Sequence, residues 1–188
     1  MHTIWYQPNR AFGTGRQVEE GEHLEDGFPA YSSVWGDKNN YGNRGERYLA
    51  GVAFLEGADK QPSAVMCRGY YTRSYLWAVD FDGKELKTKW LHASLTPNDW
   101  KVTDADGKVL KEAHGCKNTA YAQGAHSLAV GDVDGDGCDE ITYGSAAINH
   151  DGTLLYSTGL GHGDAQHLAD QDPDRQGLEY YMVHEEYP

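Results

Sequence analysis

Hydrophobic positions along this chain fall in short runs cut by acidic, glycine-bearing turns. Residues 49–55, 63–67, 75–79 and 86–90 read as four strands, with a 56–62 loop after the first and an Asp82-Gly83 turn before the last. Residues 127–144 give strand, acidic loop, strand. Residues 147–158 then add a strand, the Asn149-His150-Asp151-Gly152 turn and a further strand. The order restarts at Gln166, with an acidic loop at 170–177 and a strand at 178–183. Units of about 40 residues, each of four short strands with Asp-Gly turns, predict an all-β chain of β-propeller blades rather than a sandwich. Two to three blades are countable, and a ring needs about four to eight. The chain is therefore expected to be a partial propeller, an excerpt of a larger protein with unpaired strand edges and no activity alone.

The 132–140 loop carries the clearest chemistry. Asp132, Asp134 and Asp136 alternate with Val133 and Gly135, and Gly137, Cys138, Asp139 and Glu140 follow. Ca²⁺ takes six to eight oxygens, and a tight glycine-containing turn lets three such carboxylates converge. The backbone carbonyl near Cys138 and the Glu140 carboxylate complete the expected shell. An EF-hand would run into a helix; here Ile141-Thr142-Tyr143-Gly144 continues as a strand. Asp80-Phe81-Asp82-Gly83 and Asp104-Ala105-Asp106-Gly107 lack the third acid and the glutamate, and read as plain turns. Asp170, Asp172, Asp174 and Glu179 form a second ladder, its spacing altered by Pro173 and one extra residue.

The 13 tyrosines, 5 tryptophans and 23 glycines fit an all-β domain. A net charge of −13 excludes a phosphate-neutralising face and with it nucleic acid. No apolar run is long enough to span a bilayer, and no signal h-region follows Met1. Cys67, Cys116 and Cys138 are an odd number without zinc spacing, so they define neither disulfides nor a zinc site.

Histidines recur at blade ends. His126 opens one blade, His162 and Asp164 project the same way in an extended segment, and Glu185 ends the next. A propeller brings such ends together near its axis, where they either share a metal or hydrogen-bond between blades. Arg68, Tyr70, Tyr71 and Arg73 form a second group, able to clamp carboxylates and stack on sugar rings, or to serve as an ordinary blade loop.

Trp35-Gly36-Asp37, Tyr41-Gly42-Asn43-Arg44, Arg47-Tyr48-Leu49-Ala50-Gly51-Val52-Ala53, Arg68-Gly69-Tyr70-Tyr71-Thr72-Arg73, the 132–140 loop, Tyr156-Ser157-Thr158-Gly159-Leu160-Gly161-His162-Gly163-Asp164-Ala165, Asp170-Gln171-Asp172-Pro173-Asp174-Arg175 and Val183-His184-Glu185 resemble the bacterial rhamnogalacturonan lyases of polysaccharide lyase family 11. The resemblance covers Trp35 to Glu185 and is less clear before it. Ala125 and Ser127 stand where asparagines are expected, and Cys138 where lysine is commoner. The resemblance implies an eight-bladed propeller, at the upper end of the usual range. It also implies several Ca²⁺ ions, a secreted or periplasmic protein, and β-elimination in the rhamnogalacturonan I backbone of pectin. It implies further that His126, His162, Asp164 and Glu185 share a calcium.

The expected divisions are an N-terminal segment 1–34, a first blade region 35–91, an insertion 92–124 with a small hairpin, a second blade 125–160, and the start of a third at 161–188. The expected partners are the pectic polysaccharide and the remainder of the same propeller. No residue here is compelling as the catalytic base; Arg68, Arg73 and His162 are the candidates. A noncatalytic carbohydrate-binding or adhesion propeller, or a structural calcium-binding repeat, would carry the same acidic loop.

Overall fold

A computed structural model describes residues 48–69, 71 and 73–185. Among these the chain is all-β, with twelve strands and no helix. The first sheet is a six-stranded antiparallel meander of β1 (Tyr48–Ala53), β2 (Ser63–Arg68), β3 (Ser74–Phe81), β4 (Leu86–Ser94), β5 (Trp100–Thr103) and β6 (Val109–Ala113). The second holds β7 (Ala129–Gly131), β8 (Glu140–Tyr143), β9 (Ala146–Ile148) and β10 (Leu154–Ser157), again in sequence order. A hairpin of β11 (Gly163–Ala169) and β12 (Glu179–His184) follows.

The hairpin expected inside an insertion at 92–124 is part of the first sheet. β4 runs on to Ser94, and its last four residues pair with β5, Leu91 opposite Thr103 through Ser94 opposite Trp100. The physical reason is burial: His92, Ala93 and Ser94 are all enclosed, so the strand has no cause to end at Trp90.

Alternation across β2 and β3 makes the first sheet apolar on both faces. Val65, Cys67, Leu76 and Ala78 face one way and join Ile141, Tyr143, Ala146 and Ile148 of the second sheet in a single core. Ala64, Met66, Trp77 and Val79 form a separate cluster. Leu76, Ile141 and Ile148 are wholly enclosed, and each such side chain contributes about 1.5–3 kcal/mol. This inter-sheet core fixes where the loops at the sheet ends sit. β1 lies beside β7, and β7 beside β11.

Candidate functional site

The pairing of Gly131 with Glu140 closes the acidic loop between β7 and β8. Positive φ at Gly135 and Gly137 (80° and 91°) turns the chain back on itself within five residues. Asp132 accepts from the amides of Gly135 (2.7 Å) and Gly137 (3.0 Å), and Asp136 from that of Cys138 (2.8 Å). Carboxylate oxygens of Asp132, Asp134 and Asp136 come within 4.8 Å of one another. Glu140 heads β8 with 0% exposure; its Oε2 accepts from the Val133 amide at 3.0 Å, while Oε1 is buried with no hydrogen-bond partner. Burial, opposed by the Val133 amide, and then the Asp134, Asp136 and Asp132 charges hold its carboxyl above the usual range. A buried oxygen lacking a donor, beside three convergent carboxylates, fits a hard divalent cation.

The histidine cluster is built by two chain crossings. Ala125 bridges Gly163 in parallel, and the His126 amide donates to Asp164 O at 3.0 Å. The Glu185 amide donates to His162 O at 3.2 Å, tying the end of β12 to the start of β11. Gly163 permits that approach, because a Cβ there would lie 2.2 Å from Val183 O. His162 is 2% exposed, its ring 4.9 Å from that of His126 and 4.3 Å from that of Tyr71, centroid to centroid. Its Nδ1 lies 2.6 Å from Gly124 O. A carbonyl only accepts, so Nδ1 carries the hydrogen and Nε2 holds the lone pair of the neutral ring. Nε2 faces Glu185 Oε2 at 3.7 Å, and His126 Nδ1 lies 3.2 Å from Asp164 Oδ1. Burial, countered by the Gly124 carbonyl and the carboxylates, keeps the His162 imidazole below its ordinary value and so neutral.

A lone pair turned towards a carboxylate is an arrangement that a cation between them would fit. An Nδ1–H held by a backbone carbonyl is the orientation that metal-bound imidazoles adopt. Ligand atoms of His126, His162 and Asp164 lie within 4.8 Å of one another, which fits one ion with Glu185 close by.

Arg68 is 9% exposed with its guanidinium 5.6 Å over the Tyr48 ring, and so packs within the first sheet. Tyr70 lies outside the described residues. Asp170, Asp172 and Asp174 do not converge as the 132–136 acids do. Glu179 Oε2 accepts instead from the amides of Gln171 (2.8 Å) and Asp172 (3.1 Å). Sequence reasoning missed three things. One is the Tyr71–His162 contact, for which no local pattern exists. Another is Asp139, whose Oδ2 accepts from the Phe54 amide at 2.7 Å and straps the acidic loop to the first sheet. The third is His150, which reaches Asp136 at 3.3 Å.

The sequence model described as rhamnogalacturonan lyase family 11, C-terminal domain, matches residues 14–188. The chain belongs to this family. The match begins upstream of Trp35, where the motifs alone resembled it less clearly. The chain is 52% identical over 153 residues to the rhamnogalacturonan exolyase YesX of Bacillus subtilis (strain 168), covering 81% of this chain and 21% of that one. It is 47% identical over 162 residues to the rhamnogalacturonan endolyase YesW of the same organism, covering 84% and 22%. The solved structure of Bacillus licheniformis rhamnogalacturonan lyase PL11 aligns with a TM-score of 0.64 at 48% identity, covering 83% of this chain and 23% of that one. The chain thus spans about a fifth of the length of the curated relatives it matches.

Proposed function

We propose that this chain is part of a calcium-dependent lyase that cleaves the rhamnogalacturonan I backbone of pectin by β-elimination. The observation that carries the reading is the packing of Tyr71 on His162. It sets Tyr71, proposed to contact sugar, against the histidine–carboxylate cluster proposed to hold a cation. The names of YesX and YesW point to the same substrate class.

The chemistry suits an acidic protein handling a polyanion. The galacturonate C5 proton is poorly acidic while the adjacent carboxylate is ionised. Bound Ca²⁺ would supply positive charge against that carboxylate and the developing enolate. Among the residues here, Asp132, Asp134, Asp136 and Glu140 would hold one ion, and His126, His162, Asp164 and Glu185 another. Asp170, Asp172, Asp174 and Glu179 are assigned a third, which requires the Asp170 loop to close further. Tyr70, Tyr71 and Arg73 would contact sugar, while Arg68 would brace the loop through Tyr48. His162, enclosed and neutral, is assigned as a ligand rather than as the base.

We also infer an eight-bladed propeller, within the usual range. Supporting this are the sequential antiparallel sheets, the core shared between the first two, and the side-by-side leading strands β1, β7 and β11. Substrate in the plant cell wall implies a secreted or periplasmic protein. The test is to incubate the full-length protein with rhamnogalacturonan I and with homogalacturonan, following the ultraviolet absorbance of unsaturated uronate. Product from the first polymer alone is expected. Binding without product would favour a carbohydrate-binding propeller instead.

A further inference from the structure

A third group of ligand-type side chains meets at one end of the second sheet. That sheet is a simple antiparallel meander, so the β7–β8 loop and the β9–β10 turn emerge at the same end. Asp136 and Cys138 lie on the first and His150 on the second. A carboxylate oxygen, the Sγ atom and an imidazole nitrogen of these residues fall within 4.8 Å of one another. The imidazole is oriented: His150 Nδ1 lies 3.2 Å from Leu55 O, so Nδ1 carries the hydrogen. The lone-pair nitrogen Nε2 then faces Asp136 Oδ2 at 3.3 Å. The other oxygen, Oδ1, accepts from the Cys138 amide at 2.8 Å, which ties the carboxylate to the residue bearing the thiol. None of the three is buried, so an ion can enter from solvent.

We propose that Asp136, Cys138 and His150 bind a thiophilic divalent cation of the Zn²⁺ type. Sulfur and imidazole select such an ion over Ca²⁺ and Mg²⁺, which prefer oxygen. Three protein ligands with water in the fourth position is an ordinary zinc arrangement. With bonds of about 2.0–2.3 Å the ligand atoms must draw together by roughly 1 Å, which side-chain rotation on exposed loops supplies. On binding, the metal–sulfur bond forms as the thiol proton leaves to solvent. Because Asp136 also belongs to the acidic loop, the thiophilic ion and Ca²⁺ draw on one carboxylate, and each is expected to weaken the other. That coupling rests on the calcium reading of the 132–140 loop; the site itself does not.

Co²⁺ titration of the full chain tests this, because only a thiolate ligand gives an intense sulfur-to-cobalt charge-transfer band. The His126 cluster contains no sulfur and is silent. A saturable band is expected, displaced by Zn²⁺, absent in Cys138→Ser, at least about ten-fold weaker in affinity in His150→Gln and Asp136→Asn, and unchanged in Cys116→Ser. No band, a band unaltered by His150→Gln, or one lost in Cys116→Ser would overturn the site. Should Cys138→Ser fail to fold, alkylation of wild-type Cys138 followed by mass spectrometry replaces it: protection by Zn²⁺ supports the site, and unchanged labelling refutes it. Loss of the band with an intact Ca²⁺-dependent melting shift would separate failure here from failure of the calcium reading.

Discussion

Protonation of His92 is expected to destabilise the fold by a calculable amount as pH falls. Its imidazole is fully enclosed and stacks on Trp100 at 5.8 Å, with Nδ1 donating to Gly152 O at 2.7 Å across to the second sheet. Ser94 Oγ lies 2.9 Å from Nε2 and accepts from the Ala120 amide at 3.2 Å, so its hydroxyl is turned to donate to the ring. A proton on Nε2 would leave two donors facing each other. Burial pushes the imidazole down to about 4, with the Gly152 carbonyl partly opposing. The unfolded ring titrates near 6.5. A depressed histidine contributes stability that is complete above the unfolded value and is lost as pH falls towards the folded one. The loss is about 2 kcal/mol by pH 5 and about 3 kcal/mol by pH 4. Urea unfolding of wild type and His92→Gln between pH 7 and pH 4 isolates this contribution, since groups common to both cancel. The variant is expected to be less stable at pH 7 and to lose the difference in acid. A difference between the two proteins that stays constant across that range would rule this effect out, as would a ring titration near 6.5 in the folded protein.

Chelation should lower the melting temperature, with Ca²⁺ restoring it far better than Mg²⁺; at 100-fold excess over Kd the gain is about 2.7 kcal/mol, or roughly 5–10 °C for a domain this size. Glu140→Gln should raise stability in EDTA, by removing a buried charge, and shrink the Ca²⁺-induced rise, both readable in the same melts. Gly163→Ala should drive β12 away from β11, lowering metal content at the histidine cluster while the 132–140 loop stays loaded, as measured by atomic emission. His162→Ala in the full-length protein should cut lyase activity at least about ten-fold, and acidification below the histidine range should release the ion from wild type.

What sequence could disclose was local. Asp132, Asp134 and Asp136 converge because two glycines turn one short loop, and spacing alone conveys that. Glu140 was legible as an acid at the strand head, but its buried, unpartnered oxygen depends on the packing of β8. Strand existence was legible from apolar runs, whereas the end of β4 was not, since His92 and Ser94 look polar until their burial is known. The meeting of His126 with His162 was reachable through topology, from equivalent ends of successive sheets, and through the family resemblance, not from spacing. Tyr71 on His162, Asp139 on Phe54 and His150 on Asp136 join segments far apart in the chain, and no periodicity encodes them.

Dependence of the lyase chemistry on Ca²⁺ held by these residues is open to direct test. Its most direct measurement is the rate of unsaturated uronate release from rhamnogalacturonan I by the full-length protein, before and after EDTA and with Ca²⁺ or Mg²⁺ returned. Loss on chelation with recovery by Ca²⁺ but not Mg²⁺ is the predicted result. An undiminished rate in metal-free protein, verified by atomic emission, would contradict it.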